Sequence, residues 1–426
     1  MVSDLTTRDR RLRVLMIAPT SYFADYGCHV RILEEVRALT SQGHQVIVCT
    51  YHNGNDLPGM IIHRSLDVPW RKRLIVGSSR HKLYLDAALS FTSLRTALRF
   101  KPDIIHAHLH EGALIGAALA RVIRRPLVFD YQGSLTEEML DHGFVKRDGK
   151  FVPLLRRIER SIDALPDVIV TSSDNARRLL KQTRPGHQLR TVLDAVDTDR
   201  FSPHALTDDE RSGLRRQLGI PDGSQVIVYL GLLAPYQGSD LLLHAARTIA
   251  DAIPNAFFLL MGFPGVEQYQ TLAEQLGLGT RVSFPGRIPY QQAHRYLALG
   301  DVAVAPKMSL TEGNGKIYNY MAMGLPVVAF DAEPNREILG DLGIYARHGD
   351  SDDFAARVIE VLNLPDQGQA LGEQLRRHAI EELSWSARVQ ELLAVYDGVL
   401  RRPVPDRTTQ TVVRTASNSR RSSSEN

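Results

Sequence analysis

The sequence predicts an α/β protein in which two doubly wound, Rossmann-like domains face each other across a cleft. Two observations predict this class. Short β-branched apolar runs alternate with amphipathic segments of helical period along most of the chain, which is the pattern of parallel α/β units. The series stops at a polar segment with proline and glycine at its ends and then starts again, which indicates a second domain of the same kind.

The chain of 426 residues is long enough for two domains of ordinary size. We predict an N-terminal domain over residues 1–205, a linker with one short helix over 206–222, and a C-terminal domain over 223–383. A last amphipathic helix is expected over 384–400, and a return of this helix to the N-terminal domain is one option. The tail, 401–426, is rich in arginine, serine and threonine and has few large apolar residues, so we expect it to be disordered.

The predicted strands are apolar runs of four to eight residues with frequent valine, isoleucine and phenylalanine. In the first domain they are RVLMIAP, QVIVCTY, DIIHAHL, PLVFDY and DVIVTS, and in the second QVIVYLGLL, FFLLMG, RVSFPG, DVAVAP and PVVAFD. Helical segments lie between them, for example VRILEEVRALTSQG, which ends at Gly43. Ligands of such sheets bind beyond the carboxyl ends of the strands, so we expect functional residues there.

Composition excludes several classes of protein. Apolar residues make up 43% and charged residues 23% of the chain, which is typical of a soluble globular protein. No apolar run approaches the ~20 residues of a membrane span, and the N-terminus lacks the apolar region of a secretion signal. Two cysteines, Cys28 and Cys49, fit a reducing compartment without disulfides. These features predict a cytoplasmic protein.

The charge is unevenly distributed. Residues 1–200 have 30 basic and 22 acidic residues, whereas 201–400 have 15 basic and 24 acidic residues. A basic N-terminal half could contact an anionic membrane face or a phosphorylated acceptor, and an incidental surface imbalance is the alternative. The stretch 67–91, with the run Trp70–Arg73, is the candidate for peripheral membrane contact, and an ordinary solvated loop is the alternative. Nucleic acid is not expected as a partner, because the basic residues are not interleaved with aromatics.

The N-terminal domain has candidate residues after its first and third strands. Gly27 precedes a helix, where backbone amides could face an anion or a sugar hydroxyl, although a simple tight turn is equally compatible. Alternation along HAHLHEG predicts that His106, His108 and His110 share one face of a strand. Three imidazoles spread over about 13 Å cannot surround one ion, so we predict no metal site. His108, near the strand end, is the candidate for a sugar contact or proton transfer.

The next strand ends in FDYQGS, and we expect Asp130 and Gln132 to point at the cleft on the acceptor side. Asp130 could act as a base or as a hydrogen-bond acceptor, or it could cap the turn at Ser134. These roles cannot be separated by sequence alone, so all three remain open for Asp130.

The C-terminal domain has a stronger pattern, because glycines and lysines combine in its loops. Gly231 ends the first strand before a helix that opens near Ser239, and helix N-termini can receive phosphate. The loop APKMSLTEGNGKIYN contains Lys307 and Lys316, and lysine is a compact charge suited to phosphate. Its glycines allow backbone amides to approach a diphosphate. A surface loop with incidental lysines is the alternative. The remaining candidates for donor binding are Gln237, Gly286, Arg287, Ile288, Gly313, Asn314, Gly315 and Asn319.

The order of these segments resembles the family 4 glycosyltransferases, retaining enzymes with the GT-B fold, over roughly residues 12–400. The resemblance rests on YGCHVRILEEVRALTSQGHQVIVCT, DIIHAHLHEGALIG, DVIVTSSDNARRLL and VDTDRF in the first half. In the second half it rests on VIVYLGLLAPYQGSDLLLHAA, SFPGRIPYQQAHRYLALGDVAVAP and NGKIYNYMAMGLPVVAFD. The resemblance implies transfer of a sugar from a nucleotide-sugar donor to a hydroxyl acceptor, without a cofactor and in general without a metal.

The chain departs from the family pattern at three places. Leu232 and Gln237 stand where the family usually has an arginine and a lysine that neutralise the donor diphosphate. Asn319 replaces the glutamate that holds the nucleotide ribose, and Thr311 replaces an earlier glutamate, with Glu312 one position away. By resemblance, Glu312 would lie near the hydroxyls of the transferred sugar.

Two explanations fit these departures. Lys307 and Lys316 could supply the lost positive charge from the other side of the phosphate, with Asn319 as an uncharged ribose contact. The protein is then an active transferase of a variant branch, with His108, Glu312, Lys307 and Lys316 as catalytic candidates, and this is the explanation that we favour. Otherwise the chain is a catalytically silent partner subunit. A sugar-nucleotide epimerase of the same fold is a further alternative. The acceptor, whether lipid-linked, a polysaccharide or a small molecule, would bind to the N-terminal domain.

Overall fold

A computed structural model of the chain describes residues 10–23, 27–67, 82–141, 145–146, 148–184, 186–310 and 313–401. The tail after Arg401, most of the stretch 67–91 and the candidate Glu312 lie outside these ranges.

The N-terminal domain is a parallel sheet with helices on both faces. Its elements, among the described residues, are β1 (Arg13–Ala18), α1 (Gly27–Ser41), β2 (Gln45–Thr50), β3 (Ile61–Arg64), α2 (Lys82–Phe100), β4 (Ile104–His108), α3 (Leu109–Ile123), β5 (Leu127–Tyr131), α4 (Leu135–Asp141), α5 (Val152–Asp163), β6 (Val168–Thr171), α6 (Asp174–Thr183) and β7 (Leu189–Thr191). The strand order is β3-β2-β1-β4-β5-β6-β7. The chain order reverses between β1 and β4, and a sheet of this kind leaves a crevice at that point.

The C-terminal domain repeats this architecture. It follows α7 (Asp208–Gln217), the short helix predicted for the linker, and contains β8 (Gln225–Leu232), α8 (Ser239–Ala252), β9 (Ala256–Phe263), α9 (Val266–Gln275), β10 (Val282–Gly286), α10 (Tyr290–Leu297), β11 (Val302–Ala305), α11 (Lys316–Ala322), β12 (Val327–Phe330), α12 (Glu333–Leu339), β13 (Ile344–Ala346), α13 (Ser351–Asn363), α14 (Pro365–Glu382) and α15 (Trp385–Leu400). The strand order is β10-β9-β8-β11-β12-β13, and every pair is parallel. The prediction of two doubly wound domains is therefore confirmed.

The central strands match the predicted runs, because strands covered by helices on both faces are apolar throughout. In β4 and β5 every residue is buried. The strands that the sequence did not indicate are β3, β7 and β13. They are three or four residues long, lie at sheet edges and include exposed or half-buried positions, so they lack a long apolar run.

The prediction that three histidines share one strand face is wrong at its last member. β4 ends at His108, and Leu109 then adopts a left-handed φ of 59°, which ends the extended conformation. His110 consequently lies in the first turn of α3. Its Nε2 is 3.6 Å from Glu159 Oε1 and 3.3 Å from Asp163 Oδ1, away from the other two imidazoles.

The last helix, α15, returns to the N-terminal domain and packs against α1. The hydroxyl group of Tyr396 is 2.7 Å from His106 Nδ1, and the backbone N–H of Val196 donates to Leu383 O at 2.9 Å. These contacts join the end of the chain to the first sheet. In the described part of the chain, no helix is both long enough and apolar enough to span a bilayer.

Candidate active site

A cavity of about 210 Å³ lies between the two domains, beyond the carboxyl ends of their strands. The N-terminal domain contributes Gly27, Val30, Arg31, Asp194 and Ala195, and α15 contributes Trp385. The C-terminal domain contributes Leu230, Gly231, Leu232, Gln237, Met261, Gly262, Phe263, Ile288, Tyr290, Ala293, Lys307, Gly313, Asn314, Gly315, Lys316, Tyr318 and Asn319. Ten of the predicted site residues are therefore brought together: Gly27, Gly231, Gln237, Ile288, Lys307, Gly313, Asn314, Gly315, Lys316 and Asn319.

Lys316 begins α11 and extends across the end of β8. Its Nζ donates to Gln237 Oε1 at 2.9 Å and lies 4.8 Å from the centre of the Tyr229 ring. Gly231 leaves the space for this side chain, because an added Cβ would lie 2.9 Å from Lys316 Cε and 3.0 Å from Nζ. The ammonium group is therefore held beside position 237, where the resembled family has its lysine.

Lys307, at the end of β11, is 6% exposed, and its Nζ donates to Gly313 O at 2.8 Å. The neighbouring Asn314 is anchored by a chain of amides. Its Nδ2 donates to Asn335 Oδ1 at 3.0 Å, and Asn335 in turn donates to Phe330 O at 2.8 Å. The glycine loop is thus fixed to the sheet on one side and to Lys307 on the other.

Asn319 is 8% exposed and lines the cavity one turn after Lys316. The next residue, Tyr320, is fully buried, and its hydroxyl group accepts the backbone N–H of Leu230 at 2.8 Å. This bond fixes α11 against the end of β8. The amide of Asn319 can both donate and accept hydrogen bonds, as a contact with ribose hydroxyls requires.

Arg31 on α1 forms the wall on the opposite side and is 4% exposed. Its guanidinium is 2.9 Å from Asp130 Oδ1, 2.6 Å from Asp194 Oδ1 and 3.2 Å from Glu35 Oε1. Although burial opposes ionisation, these carboxylates raise the pKa of Arg31. Burial alone would raise the pKa of Asp130. The positive charge of Arg31 and a hydrogen bond from His108 outweigh burial and hold the pKa of Asp130 well below its usual range.

The charge of Arg31 is therefore balanced by carboxylates. Lys307 and Lys316 bring two further positive charges to the C-terminal wall of the cavity. Among the described residues that line the cavity, Asp194 is the acidic one, and it pairs with Arg31. The two lysines favour an anionic ligand group at the C-terminal wall.

Three N-terminal candidates do not line the cavity. Asp130 and His108 are 0% exposed, because α1 covers the end of the sheet and presents Arg31 to Asp130. His108 Nδ1 lies 3.0 Å from Asp130 Oδ2, and Gln132 Nε2 donates to the same oxygen at 2.8 Å. Asp130 and Gln132 thus contact each other and His108 and do not line this cavity, and their role on the acceptor side stays a prediction. A contact between His108 and a sugar remains a prediction.

The three candidates in the loop after β10 differ in their position relative to the cavity. Ile288 lines the cavity, whereas Gly286 and Arg287 do not. The Arg287 side chain is exposed, and its guanidinium lies 5.1 Å from the centre of the Phe263 ring, which does line the cavity. Glu312 lies outside the described residues, so its role remains a prediction.

Sequence reasoning missed Arg31, Asp194 and Trp385. A signal for Arg31 was present: α1 places charged residues, including Arg31 and Glu35 one turn apart, among buried apolar ones. An ion pair on the buried face of a helix indicates partners on another element. Asp194 follows β7, an edge strand too short for the sequence to predict.

Comparisons with known proteins agree with this architecture. The family Glycosyltransferase Family 4 matches residues 27–200, and Glycosyl transferases group 1 matches residues 210–378. The sulfoquinovosyl transferase SQD2 of Arabidopsis thaliana is 26% identical over 397 residues, covering 91% of this chain and 73% of that protein. A GDP-mannose-dependent phosphatidylinositol monomannoside mannosyltransferase of Mycolicibacterium smegmatis is 30% identical over 256 residues, covering 57% of this chain and 66% of that protein.

Among solved structures, that of HepE from Anabaena with UDP and glucose superposes with a TM-score of 0.73 at 16% identity. The match covers 91% of this chain and all of that one, and it shows a shared fold. Two family matches on successive halves, joined by the two-domain fold and the cavity between the domains, lead to one conclusion. The chain belongs to the family 4 glycosyltransferases and is a glycosyltransferase with the GT-B fold.

Proposed function

We propose that the protein transfers a sugar from a nucleotide-sugar donor to a hydroxyl group of an acceptor, with retention of the anomeric configuration. The observation that carries the proposal is the position of Lys316. Its ammonium group lies 2.9 Å from Gln237 Oε1 and is packed against Gly231. A cation supplied by α11 therefore stands next to the position where related enzymes supply one from the loop after β8. The missing arginine and lysine do not leave this wall without positive charge.

In this reaction the bond between the anomeric carbon and the diphosphate oxygen breaks, and a bond to the acceptor oxygen forms. The electron pair leaves with the diphosphate, and the acceptor proton is released to the leaving group or to solvent. Lys307 and Lys316 stabilise the charge that develops on the leaving diphosphate, a type of stabilisation that is commonly the largest contribution to catalysis. We expect no resident cofactor for this step.

The nature of the donor follows from the same wall and from the relatives. HepE was crystallised with UDP, and the mycobacterial relative is named for GDP-mannose. We infer that a nucleoside diphosphate sugar binds with its phosphates at Lys307, Lys316 and the glycine loop, and with its ribose at Asn319. The backbone after β10, at Gly286 to Ile288, is the proposed contact for the base.

The test is acceptor-dependent release of nucleoside diphosphate, followed by NMR of the anomeric proton of the product. We expect a product with the anomeric configuration of the donor. Lys307→Ala and Lys316→Ala should each lower kcat/KM strongly, whereas the matched control Lys181→Ala, an exposed lysine on α6, should not. Donor turnover without any acceptor would instead indicate an epimerase, and an inverted product would refute retention.

We further propose that the acceptor is presented at an anionic membrane surface. Of fifteen large hydrophobic side chains that are exposed among the described residues, eight lie on the successive neighbours α2, α3 and α5, and a ninth, Phe151, directly precedes α5. We call this set the apolar helix layer: Leu83, Tyr84, Phe91, Leu98, Leu114, Val122, Phe151, Leu154 and Ile158. An apolar patch of this kind on a protein surface indicates an interaction site.

The charge around the apolar helix layer specifies the partner. Seven exposed arginines lie on the same helices or at their ends: Arg95, Arg99, Arg121, Arg124, Arg156, Arg157 and Arg160. Each basic residue near an anionic bilayer contributes about 1 kcal/mol. Apolar side chains next to arginines favour an anionic lipid surface over a neutral one, and a phosphatidylinositol-based acceptor, as named for the mycobacterial relative, would be found there.

Vesicle sedimentation tests this partner. The wild-type protein should bind vesicles that contain phosphatidylglycerol and not pure phosphatidylcholine. A variant with Phe151→Ser, Leu154→Ser and Ile158→Ser should lose most of this binding, whereas the matched control Ile380→Ser, an exposed position in the C-terminal domain, should retain it. Equal binding of the triple variant, or no binding of the wild type, would refute the membrane proposal and leave the transferase proposal untouched.

A further inference from the structure

A buried cluster behind the cavity contains polar atoms that lie close together without hydrogen bonds. It consists of Glu35 on α1 and of His106 and His108 on β4, each 0% exposed. In the described structure, the Nε2 atoms of both histidines and Glu35 Oε2 lack a hydrogen-bond partner, and Glu35 Oε1 lies 3.2 Å from the Arg31 guanidinium. Buried polar atoms in folded proteins are nearly always hydrogen-bonded. Such a convergence from three side chains therefore indicates a bound species between them.

The distances match a single metal ion. Glu35 Oε2 is 4.0 Å from His106 Nε2 and 3.9 Å from His108 Nε2. The candidate ligand atoms of these residues and of Asp130 all lie within 4.8 Å of one another. An ion between Glu35 Oε2 and either Nε2 atom would lie about 2 Å or slightly more from both, which is close to the Zn–N and Zn–O distances of about 2.0–2.2 Å.

The other ring nitrogen of each histidine is already held. His106 Nδ1 lies 2.7 Å from the Tyr396 hydroxyl, and His108 Nδ1 lies 3.0 Å from Asp130 Oδ2. Histidines that bind metals almost always have their second nitrogen engaged in this way, since the bond fixes the orientation of the ring. Both oxygens of Asp130 accept from Arg31, whereas Glu35 lies near Arg31 through Oε1 alone, so we assign Asp130 to orienting His108 and not to the ion.

The net charge of the cluster also favours a bound cation. Arg31 supplies one positive charge, while Glu35, Asp130 and Asp194 supply three negative charges, which leaves a formal excess of two when the imidazoles are neutral. One divalent cation would balance this excess. Protons bound within the cluster are the competing way to balance this excess.

We propose that Glu35, His106 and His108 bind one divalent transition-metal ion, with zinc as the best match to two imidazoles and a carboxylate. Because all three ligands are fully buried, we assign the ion a structural role. On this proposal His108 holds the ion in place of the sugar contact that the sequence predicted. It joins α1 to β4 and, through Tyr396, to α15. It also fixes His108 and Asp130, which hold Arg31 in the cavity wall. The sequence missed this set because its third ligand is Glu35 from α1 and not His110.

The test is metal analysis of the full chain, purified without chelator and with any affinity tag removed. We expect close to one zinc ion per chain, a melting temperature that falls by several degrees with a strong chelator, and recovery on adding zinc chloride. Cobalt(II) added to the metal-free protein should give the visible absorption of a low-coordinate nitrogen and oxygen site. Glu35→Gln and His108→Asn should lose the ion, whereas His110→Asn, a buried histidine outside the cluster, should retain it.

The wild-type protein decides the proposal even if the cluster variants fail to fold. Absence of stoichiometric metal, together with no cobalt spectrum and no response of the melting temperature to chelator or zinc, would overturn the proposal. The excess negative charge of the cluster would then be balanced by bound protons. Metal that persists in folded Glu35→Gln and His108→Asn would also overturn it, because the ion would then be bound elsewhere. Neither result bears on donor binding, which is measured separately.

Discussion

Exchanging the residues at positions 237 and 316 tests whether a lysine at this point of the cavity binds the donor phosphates. Lys316→Gln removes a cation whose Nζ is 2.9 Å from Gln237 Oε1. A hydrogen bond to a charged group contributes about 1.5–3 kcal/mol, so the Kd for the nucleoside diphosphate should rise about 10- to 150-fold. Loss of the contact with the Tyr229 ring should cost roughly a further 0.5–1 kcal/mol of unfolding free energy.

Adding Gln237→Lys to Lys316→Gln places the ammonium group on residue 237 and the amide on residue 316. The positive charge then returns to nearly the same point of the cavity. We expect the double variant to recover most of the lost affinity, to within about tenfold of the wild type. The assay is isothermal titration calorimetry with the nucleoside diphosphate at two salt concentrations, since charge-mediated binding weakens as salt rises. A double variant that is folded and yet binds as weakly as Lys316→Gln alone would refute this assignment.

Three further predictions concern stability, each measured by urea unfolding. Gly238→Ala should lower the free energy of unfolding by about 1–3 kcal/mol or more, because φ is +74° and the added Cβ would lie 1.9 Å from a backbone oxygen. The control Gly213→Ala changes a helical glycine with no atom within 4 Å of the added Cβ, and it should raise the free energy of unfolding by roughly 0.5–1 kcal/mol. Tyr320→Phe should lower the free energy of unfolding by about 1–3 kcal/mol, since it leaves the partly buried Leu230 N–H without this partner, and a neutral result would contradict that bond. Burial lowers the pKa of His29 to about 3, so the folded protein takes up this proton less readily than the unfolded chain. The free energy of unfolding should therefore be constant above about pH 6.5 and fall as the pH falls below it. Between pH 6.5 and 5 the wild type should lose up to about 2 kcal/mol more than His29→Gln, and equal losses would contradict the shift.

The sequence predicts the fold because parallel strands that are buried on both faces consist of apolar runs, and the central strands of both sheets are of that kind. It also predicts most residues of the C-terminal wall. β8 and β11 are neighbours in the sheet, so the loops that follow them, with Gly231, Lys307 and Lys316, meet at one edge. The rule that ligands bind beyond strand ends was sufficient to find them.

The N-terminal wall could not be predicted in the same way. Strand periodicity assigns His106, His108 and Asp130 to positions in the sheet, but it does not show which side chain of another element covers them. Burial of Asp130 depends on α1, which places Arg31 against it. The packing of a helix on a sheet is a tertiary property, and local pattern does not determine it.

The most direct measurement of the central claim is thermal stability of the wild type and of Lys316→Ala against a panel of nucleoside diphosphates and their sugars. A ligand at 100 times its Kd should add about 2.7 kcal/mol. The account predicts that one nucleoside diphosphate series stabilises the wild type by this amount, and that the effect is largely lost in Lys316→Ala. No stabilisation by any member, or equal stabilisation of both proteins, would contradict a donor phosphate site at Lys316.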